Sequence, residues 1–574
     1  MGLKNMRVRI KILFIVFCVA ILGLIARLFY WQVVRNSELT AFAKLQHSLG
    51  TSISASRGSI LGSDGSWLAT SVEGWLLFAQ LPDVILDPKT IANKLAPVFV
   101  DDKDNAVLLG ETLRIEGLLA KAGAVWVPIK ARVDRSKKEQ IESMQISGLG
   151  FESENRRVYP EGELAGQTLG FVGKNEQGED VGYFGLEGYW DLALKGKMGF
   201  LERETDAIGI PIIHGKQTQV EASTGVDVVT HIDKGVQLVV QKKLAEGIDK
   251  YGAKAGTIIV MDPYTGAVMA NSSYPFYEPQ NYTDYSNDYF KDSVVSDTFE
   301  PGSIFKVLVM ASALDAGVIE PDTKCDMCSG AYKVDKYLIE TWDGKYYPDS
   351  TMTDVIVHSD NVGMVFAARR IGADALYDYL ESFGIGEVTG IDLQGEVSVP
   401  LREKNSWSQI DLATISFGQG VAVTPIQMLT SVSAIANGGT LVKPQVVDKV
   451  VREDWVEDIK PENKRRVLRP ETAAKVKNMM VEAAKNGEAK WTSLRGFKVA
   501  GKTGTAQIPV AGHYDKDKTV GSFVGFAPAD KPKFAMLVTL REPESSQWAS
   551  ETAAPLWFDI AKDLFPYFGI TPGE

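Results

Sequence analysis

The stretch 256–271, GTIIVMDPYTGAVMAN, decides the fold class. Two apolar runs flank the segment from Asp262 to Gly266, which has the proline and the glycine that tight turns use. The stretch therefore predicts a β-hairpin. Upstream of it, Val226 to Ile232 is typical of a strand, and Asp233 is placed to cap a helix that runs to about Tyr251.

The rest of the chain extends this pattern. Residues 300–435 are mainly helical by their apolar period, and three further strands are predicted at Val499 to Ile508, Ser522 to Phe526 and Phe534 to Leu540. A helix from about Glu551 to Phe565 follows them. The order is helix, two strands, a helical block, three strands and helix. We expect an α+β domain in which an antiparallel five-stranded sheet packs with terminal helices and a helical subdomain.

The first chemical motif lies in Glu300-Pro-Gly-Ser-Ile-Phe-Lys306, where Pro301 and Gly302 suit the entry to a helix. Ser303 and Lys306 stand at i and i+3, so they share one face of that helix and Lys306 can approach the Ser303 hydroxyl. A lysine acts as a base only when neutral, which needs burial or a nearby cation to lower its pKa. Alone, the motif also fits a solvated helix face.

The second motif is Ser359-Asp360-Asn361, in a polar break between apolar helical stretches. A serine there is able to relay a proton, and an asparagine is able to hold a substrate amide. The same three residues are also ordinary loop or cap composition. We discount a Ser–His interpretation with His358, because residues adjacent in sequence do not face each other.

The third motif, within Ala500 to Ala506, lies on the third predicted strand. Alternation points Lys502 and Gly504 to one face and Thr503 and Thr505 to the other, and Gly504 permits close approach of a ligand. Gly-Lys-Thr also ends nucleotide-binding P-loops. We reject that interpretation because no glycine-rich run precedes the motif and no helix follows it.

The ordered set of motifs is much more specific than any one of them. Ser-x-x-Lys, then Ser-x-Asn, then Lys-Thr-Gly is the signature of penicillin-interacting serine enzymes. The chain resembles the class B penicillin-binding proteins, membrane-anchored peptidoglycan D,D-transpeptidases. Four further segments carry the resemblance: Arg57 to Ile60, Arg157 to Pro160, Gly185 to Glu187 and Ser416 to Gly420. It implies a mixed α/β pedestal over 35–222 and a transpeptidase domain over 223–570.

The resemblance also implies roles for residues. Ser303 would attack the carbonyl between the two terminal D-alanines of a stem peptide, and the Ser303 and Thr505 N–H groups would form the oxyanion hole. Its partners would be stem peptides, β-lactam antibiotics and a polytopic lipid II polymerase of the shape, elongation, division and sporulation family. Within the family, the chain most resembles the division-type branch. No cofactor or metal is implied. The catalytic residues would be Ser303, Lys306, Ser359, Asn361 and Lys502, and the substrate-binding residues Thr503, Gly504 and Thr505.

The N-terminus predicts the location of the protein. Residues 1–11 are basic and 12–34 form an apolar stretch that would be about 34 Å long as a helix, enough to cross a bilayer. The basic flank places the N-terminus in the cytoplasm and the bulk of the chain outside the cytoplasmic membrane. A cleaved signal peptide is the alternative, although no small-x-small cleavage site follows the apolar run.

Composition excludes several functional classes. The 574 residues are 45% hydrophobic and 23% charged, which is typical of globular domains, and the net charge of -12 argues against nucleic-acid binding. Five scattered histidines make a zinc enzyme improbable. Three cysteines exclude a disulfide-stapled scaffold, although Cys325 and Cys328 suit a local disulfide outside the cytoplasm.

Two alternatives to a transpeptidase stay open. A D,D-carboxypeptidase or a β-lactam-hydrolysing relative would share the three motifs but use water as the acceptor. The segments that resemble the pedestal argue against both. The non-enzyme alternative is a catalytically silent division scaffold. The presence of all five predicted catalytic residues argues against it: Ser303, Lys306, Ser359, Asn361 and Lys502.

Overall fold

The structure is a computed structural model that describes residues 3–36, 48–53, 55–100, 105–204, 217–510 and 513–573. The remaining parts of the predicted tail, pedestal and transpeptidase domain lie outside the described residues, and so does His214. Two compact units are present, one formed by Met1–Ala55 with Gly196–Thr224 and the other by Ser56–Lys195 with Gly225–Glu574.

The strands are numbered in chain order. They are β1 Ser48–Ile53, β2 Ile60–Leu61, β3 Trp67–Gln80, β4 Trp126–Val133, β5 Leu149–Val158, β6 Phe171–Lys174, β7 Asp180–Tyr183, β8 Gly199–Glu204, β9 Gln217–Val220, β10 Asp227–Thr230, β11 Ala255–Met261, β12 Val268–Tyr274, β13 Tyr332–Val334, β14 Tyr337–Ile339, β15 Thr440–Val442, β16 Val447–Arg452, β17 Trp455–Asp458, β18 Asn463–Arg466, β19 Ala500–Val510, β20 His513–Ala527 and β21 Phe534–Arg541.

The α-helices alternate with these strands. They are Leu3–Phe29, Pro88–Phe99, Asn105–Leu119, Arg135–Ser143, Gly166–Leu169, Gly185–Tyr189, Asp191–Leu194, Lys234–Tyr251, Ser293–Ser296, Lys306–Asp315, Met352–Val357, Asn361–Ile371, Ala373–Ser382, Gln409–Ser416, Pro425–Ala436, Pro470–Asn486 and Ala553–Tyr567.

The first unit holds the apolar N-terminal helix and a small sheet. Leu3–Phe29 is α-helical and Tyr30–Val34 continues it as a π-helical turn. Within it, Lys11–Val34 is an apolar stretch of 24 residues whose apolar side chains are exposed. At 1.5 Å per residue this stretch is about 36 Å long, which is enough to cross a bilayer. The sheet of this unit has the order β1-β8-β9.

The second unit begins with a seven-stranded mixed sheet of order β17-β16-β10-β2-β3-β4, with β5 paired to β3. The strand predicted at Val226 to Ile232 is β10, which pairs parallel with β2 and antiparallel with β16. This sheet therefore contains strands from the predicted pedestal range and strands from the predicted transpeptidase range.

A buried ionic cluster joins the segments that carry the resemblance before residue 200. The Glu187 carboxylate is fully buried and accepts hydrogen bonds from Arg57 Nε at 2.7 Å, Arg157 Nε at 2.6 Å and the Tyr159 hydroxyl at 3.3 Å. Arg57 also donates to Asp191 Oδ1 at 2.7 Å. Burial alone would raise the pKa of Glu187, but the two guanidinium groups lower it. These motif residues are therefore a structural cluster.

Removing the central acid of this cluster should strongly destabilise the fold. Glu187→Ala would leave two buried guanidinium groups without their shared counter-ion, so we expect the free energy of unfolding to fall by about 3–5 kcal/mol. Glu139→Ala is the matched control, because Glu139 pairs with Arg135 at 3.1 Å on an exposed helix face. That change should cost less than about 1 kcal/mol. Equal losses in denaturant titrations of the two variants would contradict this assignment.

The predicted five-stranded antiparallel sheet is confirmed, with the order β12-β11-β21-β20-β19. Its interior strands are apolar on both faces. Ile258 and Val260 pack in one cluster with the helices Lys234–Tyr251 and Ala553–Tyr567, whereas Ile259 and Met261 pack in another cluster with the helical block. Both faces of β11 are therefore buried, and β19 is left at the edge of the sheet beside the turn that carries Ser303.

Candidate active site

Ser303 lies in a 3-10 turn, Gly302–Phe305, that leads directly into the helix Lys306–Asp315. The turn needs Gly302, whose φ is +55°, and Gly302 N–H donates to Gly418 O at 3.0 Å. A Cβ on Gly418 would come within 2.1 Å of Gly302 O, so only glycine permits this contact. The segment Ser416 to Gly420 therefore packs directly against the Ser303 turn through the contact between Gly418 and Gly302.

The edge strand β19 packs onto the same turn through Gly504. A Cβ there would come within 2.8 Å of Ser522 Oγ and within 2.9 Å of both Ile304 Cγ2 and Pro301 O. A ligand was expected to approach closely at Gly504, but the segment that approaches it is the protein's own Ser303 turn. The difference arises because a Cβ at Gly504 would point out of the sheet toward the Ser303 turn, which covers β19 at this position. Gly504 therefore sets the spacing between the strand and Ser303.

Lys306 is fully buried, and three acceptors surround its ammonium group. Nζ donates to Ser359 O at 2.6 Å, Asn361 Oδ1 at 2.8 Å and Ser359 Oγ at 3.2 Å. The predicted approach to the Ser303 hydroxyl is not a hydrogen bond among the residues that the structure describes. A buried cation favours strong carbonyl acceptors over a hydroxyl, and catalytic contacts of this kind often tighten only with substrate bound.

The surroundings of Lys306 shift its proton equilibrium toward the neutral form. Burial is the main cause and the positive charge of Lys502 is the second, and together they lower the pKa of Lys306 to about 7. Glu488 and Asp360 act in the opposite direction. The positive charge of Lys502 thus contributes to the lowered pKa of Lys306, but less than burial does.

The backbone and side chains of the Ser359-Asp360-Asn361 segment are oriented so that Ser359 and Asn361 accept hydrogen bonds from Lys306. Ser359 is buried and has a φ of +55°, a left-handed conformation that costs energy for a residue with a side chain. Asp360 caps the helix Asn361–Ile371, since its Oδ1 accepts from the N–H groups of Val362 and Gly363. Asn361 Nδ2 donates to Glu340 O at 2.9 Å, which orients its Oδ1 toward Lys306.

Lys502 and Thr503 form a second polar group with an acid that the sequence analysis did not find. Lys502 is 3% exposed, and its Nζ donates to Thr503 O at 3.2 Å and Thr503 Oγ1 at 3.1 Å. The Thr503 hydroxyl in turn donates to Glu488 Oε2, which lies 3.8 Å from Lys502 Nζ. Burial lowers the pKa of Lys502 and Glu488 raises it, with burial the larger effect.

Two family profiles match the chain in sequence order. One, described as "Penicillin-binding Protein dimerisation domain", matches residues 52–230, and the other, "Penicillin binding protein transpeptidase domain", matches residues 256–565. The chain belongs to the class B penicillin-binding proteins. The second profile contains Ser303, Lys306, Ser359, Asn361 and Lys502.

Relatives of this class B penicillin-binding protein span nearly its whole length. Stage V sporulation protein D of Bacillus subtilis is 31% identical over 100% of this chain and 88% of that protein. The probable peptidoglycan D,D-transpeptidase PenA of Neisseria meningitidis is 28% identical over 98% of this chain and 93% of that protein. A peptidoglycan synthetase structure from Bifidobacterium adolescentis has a TM-score of 0.72 at 26% identity, covering 92% of this chain and 98% of that one.

Several residues near the motifs of this penicillin-binding protein carry no signal in the sequence. Trp342 and Trp548 pack with ring centroids 5.2 Å apart, and Trp342 Nε1 donates to the carbonyl of His358, the neighbour of Ser359. Ala549 N–H donates to Thr505 Oγ1 at 3.0 Å. The tryptophan pair therefore links the Ser-x-Asn segment to the loop that contacts Thr505, in the middle of β19. A contact between such distant residues has no local pattern to predict it.

The Cys325–Cys328 pair is a disulfide in this structure, as the sequence analysis predicted. Both cysteines are buried within the helical block. Cys325 N–H donates to Ser350 O at 2.8 Å, immediately before the helix Met352–Val357. The disulfide thus lies in the connection that leads to Ser359 and contacts none of the described motif residues by a hydrogen bond.

Proposed function

We propose that this penicillin-binding protein is a serine D,D-transpeptidase that cross-links peptidoglycan stem peptides through an acyl-enzyme. One observation carries the proposal. Lys306, three residues after Ser303, is a buried lysine with its pKa lowered to about 7, held by acceptors from the Ser359-Asp360-Asn361 segment. A lysine with this pKa is able to exchange a proton near neutral pH, which a general base for a serine nucleophile must do.

The acylation step uses groups of the Ser303 turn, the Ser359-Asp360-Asn361 segment and β19. Ser303 Oγ attacks the carbonyl between the two terminal D-alanines, and Lys306 accepts the hydroxyl proton. The Ser303 and Thr505 N–H groups stabilise the oxyanion, which a turn packed onto an edge strand supports. As the peptide bond breaks, the Ser359 hydroxyl gives its proton to the departing D-alanine amine and takes the proton held by Lys306, whose Nζ donates to Ser359 Oγ. Asn361 holds the stem-peptide amide.

The second half-reaction transfers the peptide to an acceptor. An amine of a neighbouring stem peptide attacks the Ser303 ester, the ester bond breaks, and the serine regains its proton.

Before acylation, Lys502, Thr503 and Thr505 bind the terminal carboxylate of the donor peptide. This role suits a buried cation flanked by hydroxyls. β-Lactams, which resemble the D-Ala-D-Ala end, would acylate the same serine and remain attached.

The N-terminal helix supports a membrane location. We propose that 12–34 is a single-pass anchor in the bacterial cytoplasmic membrane, with residues 1–11 in the cytoplasm and the bulk outside it. A pedestal over 35–222 would precede a transpeptidase domain over 223–570. A role in septal division is part of this proposal, and a role in sporulation is the alternative, because one relative is named for that process.

A polymerase partner is the other part of the proposal, because a cross-linking enzyme needs glycan strands as substrate. We propose a polytopic lipid II polymerase of the shape, elongation, division and sporulation family. The test is reconstitution of the full chain with such a polymerase and lipid II, followed by analysis of the digested product.

We expect cross-linked peptide dimers that disappear with penicillin. Free D-alanine without dimers would instead indicate a carboxypeptidase, and neither product would indicate a silent scaffold. Dimers formed equally well on preformed strands without the polymerase would contradict the partner proposal alone.

A further inference from the structure

Glu488 is brought to the site by a close backbone contact. It follows Gly487, directly after the helix Pro470–Asn486. A Cβ on Gly487 would come within 2.3 Å of Ala483 O and 2.9 Å of Val357 O, so glycine is needed where this loop passes the helix that leads to Ser359. The loop therefore places the Glu488 carboxylate between the Ser359 segment and β19.

The Glu488 carboxylate contacts two of the three residues assigned to the terminal carboxylate of the substrate, Thr503 and Lys502. The Thr503 hydroxyl has a single proton and donates it to Glu488 Oε2, while its oxygen accepts from Lys502 Nζ. Glu488 Oε2 lies 3.8 Å from that Nζ, and the Glu488 side chain is 18% exposed. Within the described part of the chain, Thr503 is the only hydrogen-bond donor to this carboxylate.

We propose that Glu488 is a specificity-determining residue, an internal carboxylate that holds the Thr503–Lys502 pair until the terminal carboxylate of the ligand takes its place. The inference rests on the proposed function, because it takes Thr503 and Lys502 as the carboxylate-binding pair. A hydroxyl cannot donate one proton to two carboxylates, and two like charges around one ammonium repel each other. A ligand carboxylate must therefore compete with Glu488, whereas an uncharged ligand gains little from displacing it.

Glu488→Gln separates charge from geometry. The amide oxygen of glutamine still accepts the Thr503 proton, but the competing negative charge is gone. Ligands with a carboxylate should then gain relative to the same ligands without one. Glu488→Asp retains the charge, and Glu482→Gln removes an equal charge from a residue of the preceding helix that contacts Asn486.

The experiment compares second-order acylation rates of the full chain with benzylpenicillin and with its methyl ester. We expect the acid-to-ester rate ratio to rise roughly tenfold in Glu488→Gln, which corresponds to about 1.4 kcal/mol. Using a ratio at one pH cancels any common change in the basicity of Lys306. Glu488→Ala, which removes both charge and acceptor, should raise the ratio too, whereas Glu488→Asp and Glu482→Gln should keep it near the wild-type value.

An unchanged or lower ratio in both Glu488→Gln and Glu488→Ala, with the wild-type chain acylated normally, would overturn this inference and leave the proposed function intact. A rise of the same size in Glu482→Gln would also overturn it, because the effect would then be one of general charge. Absence of any penicillin adduct on the wild-type chain would instead contradict the proposed function, and this inference with it.

Discussion

Lys306→Arg should lower the rate of penicillin acylation by about 10²–10⁴-fold, although the charge at the position is kept. A guanidinium group stays protonated at any pH that the protein tolerates, so it cannot take the proton of Ser303. The larger planar group must also fit among Ser359 O, Ser359 Oγ and Asn361 Oδ1, which now surround Nζ. The measurement is the time course of labelling with a fluorescent penicillin.

Lys475→Arg is the control for this change, since Lys475 makes an exposed ion pair with Glu320. Its labelling rate should match that of the unaltered chain, and thermal unfolding of both variants checks their fold. Labelling of Lys306→Arg at close to the native rate would show that Lys306 is not the base.

The same assignment predicts the pH dependence of acylation. Lys306 is charged below its pKa of about 7 and neutral above it, so only the higher-pH form can act as the base. The acylation rate should therefore rise with pH through about 7. A rate that is flat across this range, or that falls as the pH rises, would contradict a role for Lys306 as the base.

Ser303→Ala should abolish covalent labelling completely, which is the largest effect expected of any single substitution. Without the hydroxyl no ester can form, although Lys502 and Thr503 are unchanged and should still bind penicillin reversibly. Ser382→Ala, at the end of the helix Ala373–Ser382, is the matched control and should label normally. Labelling of Ser303→Ala at the rate of the unaltered chain would mean that another residue is the nucleophile.

The sheet was predictable from the sequence because its signals are local. The turn between β11 and β12, the Asp233 cap and the apolar runs of β20 and β21 each lie within a few residues. The pairing of β10 with β2 and β16 was not predicted, because the sequence of a strand does not show which distant strand it pairs with. Family resemblance indicated a pedestal, but not a sheet with strands from both ranges.

The candidate site was predictable as a set of residues but not as a set of contacts. The three ordered motifs predicted the site residues: Ser303 and Lys306 from the first, Ser359 and Asn361 from the second, and Lys502 from the third. The left-handed backbone of Ser359, which directs its carbonyl to Lys306, is a tertiary constraint without a glycine to mark it. Glu488 follows an ordinary helix, and its contact with Thr503 arises only when that helix packs beside β19.

The most direct test of the account is to locate the penicillin adduct by mass spectrometry of the digested full chain. The account predicts one benzylpenicilloyl group on the peptide that contains Ser303, and fragmentation that places it on that serine. The adduct should be missing from chains pre-treated with a second β-lactam. An adduct on Ser359, or on any residue other than Ser303, would contradict the central claim that Ser303 is the acylated nucleophile.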